Sequence, residues 1–132
     1  MLATIWPRTR KIYTCKVLTA GTPSRFEGRT YTAELIEPAA KTLSYRPLNI
    51  NHFDPLPFPD NMTLEANWNP YLSALFADIQ VEDSKTRDMI TSGEIQRLSV
   101  EALWIGARIV AFTAVALVTN LRSPIDKSSR IY

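Results

Sequence analysis

The sequence predicts an α+β domain built on a closed or nearly closed, mostly antiparallel β-barrel of about six or seven strands, flanked by short helices. Three observations predict it. The chain has 132 residues, 45% of them apolar and 21% charged, enough to bury one core and typical of an ordered globular protein. Its β-rich stretches are separated by Gly, Pro and Asn turn chemistry. They do not alternate regularly with helical stretches, which argues against a doubly wound parallel sheet. Residues 1–132 are therefore read as a single domain.

The elements follow in order. Ile12 to Leu18 alternates and is β-rich, a first strand. Gly21 to Arg29 is a loop. Tyr31 to Leu43 carries Leu35, Ile36, Ala39, Ala40 and Leu43 at helical spacing, with Pro38 interrupting or starting that helix. Pro47 to Phe53 is a short strand carrying His52, and the three prolines between Asp54 and Asp60 make a stiff loop. Thr63 to Trp68 alternates. After the Asn69-Pro70 turn, Tyr71 to Val81 has apolar groups on both faces, as a buried strand does. Asp83 and Ser84 cap a helix over Lys85 to Thr91 that Gly93 stops. Gln96 to Trp104 and Arg108 to Thr119 are strands broken by Gly106, and residues 120–132 read as an irregular tail.

Composition narrows the function. A net charge of +2 with scattered basic residues leaves no footprint for nucleic acid; the densest cluster, Arg8, Arg10 and Lys11, reads as a solvated arm. Without about 18 consecutive apolar residues no membrane-spanning helix is expected, and the apolar N-terminus is too short for a signal peptide. Cys15 is the only cysteine, fits an intracellular compartment and packs as a small apolar group. Asn61-Met62-Thr63 matches a glycosylation acceptor that such a compartment leaves unused. One His and one Cys make no metal-ligand set, and no cofactor is implied.

The chemistry concentrates on few residues. His52 is the only histidine, and a serine nucleophile needs a base that titrates near neutrality. Ser99, in Arg97-Leu98-Ser99-Val100-Glu101, is the candidate nucleophile. On a strand, residues two apart share a face, so Glu101 projects with Ser99; Asp54 likewise follows His52 by two. Spacing alone leaves open a structural serine and a buried, hydrogen-bonded histidine.

The wording of three motifs adds a resemblance. Pro47-Leu48-Asn49-Ile50-Asn51-His52-Phe53-Asp54 resembles the histidine strand of the caudoviral prohead (capsid maturation) proteases. Ser92-Gly93-Glu94-Ile95-Gln96-Arg97-Leu98-Ser99-Val100 is similar to their nucleophile strand, and Phe112 to Asn120 to the strand that follows. The motifs occur in the family's order over about Leu48 to Pro124. The resemblance implies a herpesvirus assemblin-like barrel and a serine endopeptidase that cuts scaffold and capsid-protein segments, and itself, inside the assembling prohead in the host cytoplasm. It makes His52 the general base and Ser99 the nucleophile. Two positions depart from the family: Glu101 stands where a glycine is usual, and Ala114 where an acidic residue is usual. Glu101 is thus the relocated candidate to orient His52, and Arg122, after the last strand, a candidate oxyanion donor beside the backbone N–H groups of its segment. Capsid and scaffold proteins are the expected partners, with self-association open. Two other readings stand beside this one: a catalytically degenerate virion or capsid-assembly protein, and a small barrel that binds through the Pro55–Pro59 loop and Trp68, the tryptophans Trp6, Trp68 and Trp104 otherwise being core.

Overall fold

The computed structural model describes residues 11–25 and 28–132; Trp6, Arg8 and Arg10 lie outside them. Two four-stranded sheets carry the fold. The first, antiparallel throughout, has the order β10 (Arg130–Ile131), β1 (Lys11–Thr19), β7 (Ala74–Val81), β6 (Met62–Asn69). The second has the order β5 (Asp54–Pro55), β4 (Leu48–Ile50), β9 (Arg108–Thr119), β8 (Ile95–Ile105). In it β4 runs parallel to β9, while the other two pairings are antiparallel. A minimal ladder joins β2 (Thr22–Pro23) to β3 (Thr30–Tyr31).

The sheets do not close into a barrel. Their seams are made by side chains and isolated backbone contacts rather than by a continued ladder. On one side the buried Ser129 hydroxyl donates to the Leu98 carbonyl (2.8 Å) and accepts from the Leu98 N–H (3.1 Å), while the neighbouring Arg130 and Ile131 pair with β1. Asp126 reinforces this seam by accepting from the Thr19 N–H (2.7 Å) and from the Ser128 N–H and hydroxyl. On the other side the Thr63 hydroxyl accepts from the Arg46 N–H (2.7 Å) and donates to the Leu43 carbonyl, next to a single Pro47–Met62 bridge. The tail expected to be irregular thus ends in a short strand that holds the seam.

Helix α1 (Ala33–Ala39) starts at Thr32, whose side chain accepts from the Leu35 N–H, a cap contributing about 1 kcal/mol. Pro38 lies inside it, and past Ala39 the chain tightens to a 3-10 turn over Ala40–Leu43. Helix α2 (Ser84–Thr91) is capped by Asp83 and followed by Gly93 at φ +84°, as its sequence predicts. Hydrogen bonds from the Thr86 hydroxyl and N–H hold the Asp83 carboxyl below its ordinary range. Tyr71 and Leu72 are exposed in the turn before β7 rather than part of that strand.

The core lies between the sheets and under α1. It gathers Val17, Leu75 and Ile79 from the first sheet, Leu48, Leu98, Val100, Val115 and Leu117 from the second, and Ile36 and Leu43 from the helical segment. Cys15 belongs to it; burial, with the Asp78 charge adding, pushes its thiol up and keeps it protonated. Trp68 and Trp104 pack against this core as half-buried residues. Asn61, the acceptor of the glycosylation motif, is buried: its amide donates to the Pro57 carbonyl and accepts from the Glu82 and Asp83 N–H groups.

Candidate functional site

Strand alternation divides the second sheet into two chemically different faces. Leu98 and Val100 of β8, with Leu117 and Val115 opposite them, face the core. Ser99 and Glu101 project from the other face, opposite Ala116 and Ala114 respectively. Asn49 of β4 is in register with Ala116, so Ser99, Ala116 and Asn49 form one row across three strands. Both alanines are buried yet lie outside the core cluster. They form a low floor over which longer side chains from the flanking strands can meet.

His52 reaches this floor from a turn, not from the strand expected to carry it. The strand ends at Ile50, and Asn51 and His52 both adopt left-handed backbone, φ 55° and 68°. Such conformations cost non-glycine residues about 1–2 kcal/mol each, and several bonds offset that cost. The Asn51 N–H donates to the Leu117 carbonyl (3.0 Å), its side-chain oxygen accepts from the Thr119 N–H (3.0 Å), and its amide donates to the Thr119 hydroxyl (3.1 Å). The Phe53 N–H closes the turn on the Ile50 carbonyl, and the His52 N–H donates to Asn49 Oδ1 (2.8 Å).

The turn folds the imidazole back over the sheet, where His52 Nδ1 lies 2.8 Å from Glu101 Oε2. The same carboxylate oxygen accepts from Asn49 Nδ2 at 2.7 Å. A carboxylate against Nδ1 assigns the proton of the neutral ring to Nδ1 and leaves Nε2 as an acceptor. Nε2 is buried without a hydrogen-bond partner. Ser99 is only 1% exposed, and its hydroxyl accepts from the Ile125 N–H at 3.4 Å. No hydrogen bond joins Ser99 to His52 in this state.

His52 and Arg25 line two clefts. One, of about 320 Å³, is walled by Tyr31, Val100, Glu101, Ala102 and Ile125; burial pushes the Tyr31 phenol up, so it stays protonated. The other, of about 230 Å³, is walled by Asn51, Phe53, Val118, Arg122 and Ser123. Among the described residues no group of His, Cys, Asp and Glu forms a metal-binding cluster, and no helix is long and apolar enough to cross a membrane.

Of the residues singled out from the sequence, Glu101 and His52 meet directly, and Ser99 shares their face without bonding to either. Arg122 is exposed and stacks its guanidinium over the Phe53 ring at 5.5 Å. The donor that reaches Ser99 is instead the backbone N–H of Ile125. Asp54 is exposed in β5 and takes no part. Trp68 lies near the end of β6, whereas the Pro55–Pro59 loop precedes that strand. Asn49 was present in the histidine motif but carried no assigned role. Its signal is the tendency of Asn to bond a backbone N–H two or three residues on.

Comparison with known proteins adds no relative: no family model matches the chain, and neither the curated proteins nor the solved structures contain a significant match.

Proposed function

We propose that the chain is a serine endopeptidase of the prohead-maturation type, acting on scaffold and capsid-protein segments within the assembling prohead. The observation that carries the reading is the 2.8 Å contact between His52 Nδ1 and Glu101 Oε2, with Nε2 left free. In this reading Nε2 takes the Ser99 proton as the hydroxyl oxygen attacks a peptide carbonyl, and Glu101 stabilises the imidazolium. The imidazolium then protonates the leaving amine, and water, deprotonated by the same nitrogen, releases the acyl group from Ser99. The Ile125 N–H and its neighbours are the oxyanion donors. Glu101 lies directly opposite Ala114, so an acid lost from one position and gained at the other serves the same patch of sheet. The Ser99 oxygen accepts from the Ile125 N–H, which leaves its O–H free to donate to Nε2 as the site tightens around substrate.

Substrate fits as an extended strand along the outer edge of β8. Ser129 occupies that edge at Leu98, and by alternation the next outward-facing backbone groups belong to Val100, on the wall of the larger cleft. A second reading, a non-catalytic capsid-assembly protein of the same fold, is favoured by the burial of Ser99. Two measurements separate them. A small fluorophosphonate, which transfers its phosphonyl group to an activated serine oxygen with loss of fluoride, should add one label to the wild type and none to Ser99→Ala or His52→Ala. Co-expression with the capsid and scaffold proteins should give processing only with Ser99 intact. An unlabelled wild type, or equal processing by Ser99→Ala, overturns the protease reading.

A further inference from the structure

We propose that Asn49 is the positioning residue of this site: one carboxamide that holds both Glu101 and the His52 backbone and so fixes which imidazole nitrogen carries the proton. For its catalytic consequence the proposal rests on the Ser99–His52–Glu101 reading. Its geometry stands independently, on a closed set of three contacts. Asn49 Oδ1 accepts from the His52 N–H at 2.8 Å, Asn49 Nδ2 donates to Glu101 Oε2 at 2.7 Å, and that same oxygen lies 2.8 Å from His52 Nδ1.

The chemistry of these contacts selects asparagine. A backbone N–H can only donate, so it must face the amide oxygen; an ionised carboxylate can only accept, so it must face the amide nitrogen. Aspartate lacks the donor, and serine is too short to serve two partners across a strand. The contact also crosses β9, because Asn49 lies on β4 and Glu101 on β8. It can do so because Ala116 and Ala114 lie beneath it. Glu101 is partly open to solvent, with 34% of its side chain accessible. Without Asn49 the carboxylate is free to turn towards water, and nothing then confines the proton to Nδ1. A ring protonated at Nε2 presents a donor to Ser99 and cannot accept its proton.

The test uses the fact that His52 is the chain's only histidine. In the full chain labelled with ¹⁵N-histidine, a long-range proton–nitrogen spectrum at mildly alkaline pH contains a single imidazole and reads its tautomer directly. Wild type should be Nδ1-protonated. Asn49→Asp keeps the oxygen that accepts the His52 N–H but replaces the donor with a charge facing Glu101. It should lose the Nδ1–H tautomer as fully as Asn49→Ala and Glu101→Ala do. Its Ser99 phosphonylation should slow by about 10- to 100-fold, the usual effect of removing a group that orients a ligating or catalytic side chain. A residue that merely shaped the turn would leave Asn49→Asp like wild type in both readouts, and that result overturns the proposal. If wild type is never phosphonylated yet Asn49→Asp still changes tautomer, Asn49 positions the ring and the protease reading is the one that falls. If wild type is phosphonylated and Asn49→Asp keeps both tautomer and rate, the protease stands and the role of Asn49 falls.

Discussion

Removing the Glu101 carboxylate should slow Ser99 chemistry by about 10³, and returning an acid to the facing strand should recover part of the loss. An orienting carboxylate in a fully buried triad contributes about 10⁴ in rate. Here the carboxylate is one-third accessible, so solvent screens part of its effect and a loss near 10³, about 4 kcal/mol of barrier, is expected for Glu101→Ala. Ala114 faces Glu101 directly across the β8–β9 pair, which places the two Cβ atoms about 5 Å apart. A glutamate side chain at 114 can therefore reach the imidazole from the adjacent strand. Its site is more buried, at 7% exposure, so desolvation limits the recovery to about tenfold. The assay is the rate of single fluorophosphonate addition to Ser99, followed by intact-protein mass spectrometry for wild type, Glu101→Ala and Glu101→Ala/Ala114→Glu. Labelling of Glu101→Ala at the wild-type rate would refute the orienting role. A double variant no faster than the single one would refute the equivalence of the two positions.

Two further predictions concern the seams. Asp126 is buried, and although desolvation pushes its carboxyl up, hydrogen bonds from Ser128 and Thr19 outweigh it and hold it below the ordinary range. A lowered folded value means its stabilisation is complete above the ordinary carboxylate range and disappears as pH falls through the lowered value. Asp126→Ala should therefore lose about 2 kcal/mol in urea unfolding at neutral pH and clearly less at strongly acidic pH, where only the neutral carboxyl's hydrogen bonds are removed; an equal loss at both would contradict the account. Thr63→Val keeps the shape of a fully buried side chain but strands the Leu43 carbonyl and the Arg46 N–H. It should cost about 1–3 kcal/mol in the same measurement, and a neutral outcome would show that water or backbone replaces the hydroxyl.

Much of the fold was legible because period and caps are local signals. Arg108 to Thr119 is rich in Val and Ala between Gly106 and Asn120 and is a strand with those bounds. Helix α2 announces itself through Asp83 at one end and Gly93 at the other. Partnership is not local, and there the reading departed from the molecule. A period of two says which residues share a face but not which strand lies beside them. The parallel pairing of the three-residue β4 with β9 and the division into two open sheets were therefore hidden. His52 was placed on a strand because its neighbours are apolar; the side chain of Asn51 pulls the backbone into the left-handed region instead. Glu101 was found because it lies two residues from Ser99, whereas the Ile125 N–H, a backbone group, carries no residue-type signal.

The division of β8 into a core face and a site face ties assembly of the fold to assembly of the site. From Arg97 to Glu101 the strand pairs with β9 in five successive regular pairs, fenced on both sides by register shifts. A slip of one residue within that run would send Ser99 and Glu101 into the core and turn Leu98 and Val100 outwards. Such a chain would bury an unpaired carboxylate and expose two aliphatic side chains, so it would not persist. The folding reaction therefore acts as a proofreading step. Molecules that pass it carry the serine and the glutamate on the side from which His52 can be reached, and mispaired ones are discarded by instability rather than accumulating as folded but inert copies.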